Sequence, residues 1–131
     1  ENVATTEVER AADAVDAVEQ TVAYGVAIPG TDGKAGMVAV KLRDGQTLDP
    51  VKLAAHLYDS LPSYAIPLFV RIVDELESTS TFKTRKVELR NEGYSETGAD
   101  PLYALAGRAK GYVPFYDEYA ADVAAAKVPR G

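Results

Sequence analysis

The pattern that most restricts this chain lies between Val22 and Ile28. There Val22, Tyr24, Val26 and Ile28 alternate with the small residues Ala23, Gly25 and Ala27. Successive side chains of a strand point to opposite faces, so the run predicts a strand with one bulky face. The stretch that precedes it, and another beyond a second strand, carry a helical period instead, and a chain that switches period this way builds a sheet packed by helices.

Upstream, Val8, Ala11, Ala12, Val15 and Val18 recur close to the helical repeat and predict an amphipathic helix over about 6–19. Thr6-Glu7-Val8-Glu9 has the form of a capping box, with Thr6 as N-cap and Glu9 reaching back to its amide. Downstream, Pro29 to Gly36 is a turn-rich loop, and a second strand follows at about 37–43 with Val38, Val40 and Leu42 on one face. Asp44-Gly45 ends it with turn chemistry. Asp49 then caps a second helix, Pro50 fits its first position, and Leu48 can staple onto Leu53. Leu53, Ala54, Leu57, Tyr58 and Leu61 form its buried stripe, and Pro62 stops it. His56 lies off the stripe and reads as solvated or locally hydrogen-bonded. A third strand is predicted at about 68–74, a short helix at 84–91 and a last helix at 115–127. The order α-β-β-α-β-α-α predicts an α+β, two-layer domain with a short three-stranded sheet packed by helices. The segment after about 93 is expected to be a helical extension docked on that core.

Composition closes off several functions. The 131 residues suit one domain, and the net charge of −6 disfavours non-specific binding to nucleic acid or anionic membranes. With no cysteine, disulfides, thiolate catalysis and Cys-type metal sites are excluded, and the one histidine, His56, cannot by itself make a metal cluster or a Ser-His-Asp relay. No apolar run approaches the ~20 residues that span a bilayer, and nothing resembles a secretory leader, so the expectation is a cytoplasmic protein. The sequence starts at Glu1, without methionine and almost at once in a helix. It is therefore expected to be one domain of a larger protein, not a complete catalyst.

No self-contained active site emerges. Pro29 to Gly36 holds three glycines but neither phosphate-loop pattern, and reads as a hairpin loop. Asp74 and Glu75 read as a solvated strand end. Tyr103, Tyr112, Tyr116 and Tyr119 have acidic neighbours and read as core and docking residues, not a base-stacking platform. One segment resists a bland reading. Thr79-Ser80-Thr81-Phe82-Lys83-Thr84-Arg85-Lys86-Val87-Glu88-Leu89-Arg90 sets cations at a helix start, where they oppose the helix dipole. A local preference broken at a loop–helix junction points to function.

Thr79 to Leu89 resembles the final core motif of the adenylate-forming acyl-CoA synthetases, in which a threonine-rich loop presents a catalytic lysine before a short helix. Its Thr-Phe-Lys form is similar to the fatty-acid transport protein and very-long-chain acyl-CoA synthetase branch. Glu1 to Val8, Tyr24-Gly25-Val26, Gly36 to Val40, and Leu61 to Arg71 resemble the same branch. Asp100-Pro101-Leu102-Tyr103 and Tyr112-Val113-Pro114 resemble its C-terminal extension. The resemblance implies that 1–92 form a mobile C-terminal lid and 93–131 an extension packed on it. It implies ATP and Mg2+ bound mainly by an absent N-terminal adenylation domain, with fatty acid and CoA as co-substrates. Lys83 would be the catalytic residue of adenylation, and Gly25, Arg85 and Lys86 would contact CoA or the partner domain. No metal ligand, nucleic-acid contact or membrane anchor is assigned to this segment, and any peripheral membrane contact falls to the absent portion. Two other readings stay open: the same domain from an enzyme activating sterol-side-chain or aryl acids, and a free-standing interaction module.

Overall fold

Residues 3–31, 33–76 and 82–128 are described by a computed structural model, with residues 3, 4 and 82–85 described in backbone only. The alternating run lies within β1 (Val18–Ala27), the edge of a five-stranded sheet ordered β1-β2-β3-β4-β5. β2 (Lys34–Leu42) returns antiparallel, with Tyr24 opposite Met37 and Gly25 opposite Gly36. A parallel partner needs a crossover, and α2 (Pro50–Ser60) provides it before β3 (Phe69–Val73) pairs with β2. β4 (Leu102–Leu105) and β5 (Tyr112–Pro114) then add antiparallel strands to the free edge of β3. The sheet thus has five strands where the sequence predicts three. The extra two come from the segment expected to be a helical extension, which completes the sheet.

α1 (Val3–Asp13) starts earlier and stops sooner than the predicted 6–19. Turn bonds from Ala14 and Val15 to the carbonyls of Ala11 and Ala12 end it. Val18, in phase with the helix on paper, enters the sheet opposite Leu42. The capping box does not form. Thr6 lies inside α1, and Glu9 Oε2 instead accepts the β1 amide of Ala23 at 2.8 Å. An edge strand has amides that no neighbouring strand takes up, and a long-range carboxylate outcompetes the local cap here. The C-terminal helix is also shorter than 115–127: α4 spans Tyr119–Ala124, and the amide of Phe115 is tied instead to Leu102 at the start of β4.

The two faces of β1 have different partners. Thr21, Ala23 and Gly25 face α1, and Thr21 Oγ1 donates to Asp13 Oδ1 at 2.8 Å. Their small size lets the helix approach closely. α2 shares this face, and His56 Nε2 donates to the Ala11 carbonyl at 2.7 Å, joining α2 to the last turn of α1. The histidine is hydrogen-bonded as one of its two readings held, but to a partner 45 positions away. Asp49 caps α2 as predicted, accepting from Val51 and Lys52 at 3.1 Å, worth about 1 kcal/mol.

The bulky face of β1, with Met37 and Phe69 in register on β2 and β3, is covered by α3 (Phe82–Glu92) and the tail. Tyr94 stacks on Phe69 with ring centres 4.5 Å apart, and Tyr119 meets the same ring edge-on at 5.4 Å. Buried Tyr112 and Tyr119 donate to the carbonyls of Pro67 and Leu105, both at 2.7 Å. The reading of four tyrosines as core and docking residues holds for these two, while Tyr103 is half-buried and Tyr116 is exposed.

Candidate functional site

Two places in this fold carry chemistry, on opposite faces of the sheet. The first is the start of α3. The helix begins at Phe82, two residues before its predicted start, so Lys83 and Arg85 lie in its first turn. Their side chains, and residues 77–81 before them, where the sequence expects a polar loop, fall outside the described residues. That turn contains no acidic residue of its own. The exposed amides of a helix start and the lysine charge both attract anions, which explains why a sequence unfavourable to the helix suits a phosphate or carboxylate. Lys86, one turn on, is half-buried.

At its other end α3 is tied to the sheet. Arg71 on β3 is only 5% exposed, donating from its Nη1 to Glu92 at 2.7 Å and from Nε to Asp100 at 2.9 Å. Burial works against this charge, but the bonds to Glu92 and Asp100 outweigh it and hold the guanidinium pKa above its ordinary value. Of the apolar face of α3, Leu89 is fully buried. Asp74 and Glu75, at the end of β3, are both exposed.

The second place is a groove of about 160 Å3 between α1, the β1–β2 hairpin and the segment after α2. Thr5 and Val8 form one wall, Gly25 and Gly36 its floor, and Lys34 and Tyr64 its rim. Gly25 has ordinary strand geometry, so its requirement is spatial. A Cβ there would come within 3.2 Å of the Lys34 Cβ across the hairpin. A Cβ on Gly36 would likewise meet the Pro67 Cα at 3.2 Å. Tyr64 stands 81% exposed beside this groove. Such a slot suits a slender, flexible chain with a negative group near Lys34.

The structure does not bring the expected site residues together. Gly25 opens toward α1, whereas α3, with Lys83, Arg85 and Lys86, lies on the face of Val26, whose Cγ1 sits 3.9 Å from a Cβ built on Gly93. Lys34, Tyr64 and Arg71 were not singled out as site residues from the sequence. The register of Gly25 against Gly36 would have pointed to Lys34, but nothing local to Arg71 announces partners at 92 and 100. Among the described residues no three His, Cys, Asp or Glu side chains gather to hold a metal ion, and no helix is long and apolar enough to cross a membrane.

Comparison with known proteins fits this layout. The chain is 53% identical over all 131 residues to the medium/long-chain-fatty-acid–CoA ligase FadD6 of Mycobacterium tuberculosis, covering 22% of that protein. It is 47% identical over 119 residues to human long-chain fatty acid transport protein 5, covering 90% of this chain and 17% of the relative. The chain therefore spans about a fifth of the length of these curated relatives. Among solved structures, apo MatB from Rhodopseudomonas palustris superposes with a TM-score of 0.61 at 25% identity, over 71% of this chain and 18% of that one. Coronafacic acid ligase from Pectobacterium brasiliense shares the fold at a TM-score of 0.64 and 19% identity, over 77% and 19% of the two chains. A family model described as the AMP-binding enzyme C-terminal domain matches residues 7–83, from α1 to the lysine at the start of α3. With more than half of its length matched, and with the fold in agreement, the chain belongs to the AMP-binding enzyme C-terminal domain family.

Proposed function

We propose that this chain is the C-terminal lid of a long- or very-long-chain fatty-acyl-CoA synthetase, with 1–92 as the lid and 93–131 as an extension that completes its sheet. The observation that carries this reading is the 53% identity to a fatty-acid–CoA ligase along the entire chain, extension included. In the overall reaction a fatty carboxylate attacks the α-phosphate of ATP and expels pyrophosphate. The CoA thiol then attacks the acyl carbonyl of the resulting acyl-adenylate and expels AMP.

Lys83 has the chemistry for the first step. Two anions must meet, and an ammonium between carboxylate and α-phosphate offsets their repulsion and orients both. In a closed site partly freed of water this charge counts for more than in bulk solvent. The groove at Gly25 has the shape for the second step, since it would take the pantetheine arm of CoA with Lys34 near a phosphate. Placement of α3 on the other face favours interdomain pairing for Arg85 and Lys86 over contact with that CoA. ATP and Mg2+ would be held mainly by the partner domain, as would any peripheral attachment to a membrane.

The test uses the full-length protein and separates the two half-reactions. A substrate panel should show pyrophosphate release with fatty acids, graded by chain length, and none with this chain alone. Lys83→Ala should slow adenylate formation by about 10²–10³-fold while pre-made acyl-adenylate still reacts with CoA. Preference for a sterol-side-chain or aryl acid, or turnover by this chain alone, would overturn the proposal.

A further inference from the structure

We infer that Arg71 is a positioning residue for adenylation: gripped between Glu92 and Asp100, it fixes the orientation of α3 and so the position of Lys83. The inference rests on the adenylation role proposed above for Lys83.

Among the described residues Arg71 is the charged side chain buried to less than a tenth exposure. Its neighbours on the strand, Phe69, Val70 and Val73, are all buried and apolar. Burying a charge at such a position costs several kcal/mol before its partners repay it, and an apolar residue of similar volume is often as stable or more so. Stability therefore gives a weak reason for the arginine. Geometry gives a better one.

Among the described side chains of α3, few are packed against the sheet. Leu89 is buried, while Val87, Glu88 and Arg90 are exposed. Apolar contact at Leu89, together with the Tyr94–Phe69 stack just beyond the helix, resists separation but is not directional. The planar fork of Arg71 supplies direction. It makes two charge-assisted bonds: the one to Glu92 ties the last residue of α3 to β3, and the one to Asp100, just before β4, holds the guanidinium plane that aims it.

The lysine lies at the far end of this lever. Lys83 precedes Glu92 by nine positions, or about 13 Å along a helix rising 1.5 Å per residue. A tilt of about 10° at the clamp would move the start of α3 by roughly 2 Å. Misplacement on the order of 1 Å can already cost about a hundredfold in rate. Arg71 thus acts on the reaction through α3, without touching substrate.

The experiment measures both half-reactions in the full-length protein for Arg71→Met, Arg71→Lys and Lys83→Ala, with the melting temperature of each. Arg71→Met should slow adenylate formation at saturating ATP and fatty acid by about 10- to 100-fold. Its reaction of pre-made acyl-adenylate with CoA should stay within about twofold of wild type. Arg71→Lys keeps the charge but not the fork, so it should fall between the two and remains informative if the methionine variant folds poorly. Equal loss in both half-reactions, or no loss in either, would overturn the inference and leave Arg71 a structural residue. Unimpaired adenylation in Lys83→Ala would instead overturn the lysine assignment beneath it.

Discussion

Gly111→Ala should be one of the more damaging single-methyl additions available in this chain, and its cost can be built from two parts. Gly111 sits in the β4–β5 turn at φ +72°, in the left-handed region, where an alanine costs about 1–2 kcal/mol. The new Cβ would also lie 3.0 Å from the Val51 Cα and 3.2 Å from the Ala54 Cβ. The first of these is backbone of α2 and cannot swing aside, so the helix must shift, at about 1–3 kcal/mol for an overpacked contact. The total is about 2–5 kcal/mol. Gly45 provides the control, because it has nearly the same strain, φ +77°, with nothing within 4 Å of its Cβ. Gly45→Ala should therefore cost only the first part, about 1–2 kcal/mol. Urea unfolding of the two variants, compared at a common m-value, isolates the second. For a domain of this size 1 kcal/mol corresponds to roughly 4 °C, so a thermal melt would also resolve them. Equal losses would refute the claim that the hairpin presses on α2. They would also weaken the view that the segment after 93 is an integral part of this core.

The groove makes its own prediction. Gly25→Val in the full-length enzyme should slow the transfer of pre-made acyl-adenylate to CoA while leaving pyrophosphate release near wild type, and parallel losses would mean simple disruption of the β1–β2 hairpin. Tyr119→Phe deletes the buried bond to the Leu105 carbonyl. It should cost about 1–2 kcal/mol in chemical denaturation because that acceptor is left short of a donor, and an unchanged midpoint would show that the bond contributes nothing. Tyr116 is held above its ordinary pKa of 10.0 by partial desolvation and by its bond to Asp122. A raised phenol favours the fold while neutral, so this contribution is present below pH 10 and disappears as pH rises through the raised value. Difference absorbance against Tyr116→Phe should show this titration, and a midpoint at or below the ordinary value would contradict the geometry.

Much of the chain was legible wherever local chemistry and tertiary demand agree. Asp49, Pro50 and the Leu53–Leu57 stripe specify α2 by themselves, because a side-chain cap, a fixed φ and a helical period all point the same way. The alternation in β1 likewise fixed its two faces, and the small residues fell on the side where α1 lies close. The ordered motifs around Gly25, Gly36 and Lys83 were sufficient to indicate the family.

What the sequence left undecided were choices between a near partner and a far one. Glu9 had a local amide to cap, but an edge-strand amide 14 positions away took it. His56 found a carbonyl at the end of α1. β4 and β5 have four and three residues, too short for alternation to register, and exist because β3 had a free edge to pair. Nothing local to Arg71 marks it for burial; the fold closes over it and brings Glu92 and Asp100 to its fork. Period and capping are properties of neighbouring residues, so the sequence alone determined the order of the helices (though not the ends of α1 and α4), the first three strands and the lysine at a helix start. Which donor meets which acceptor, and on which face of the sheet each candidate site opens, depends on groups brought together only by folding, and the tertiary structure alone decided it.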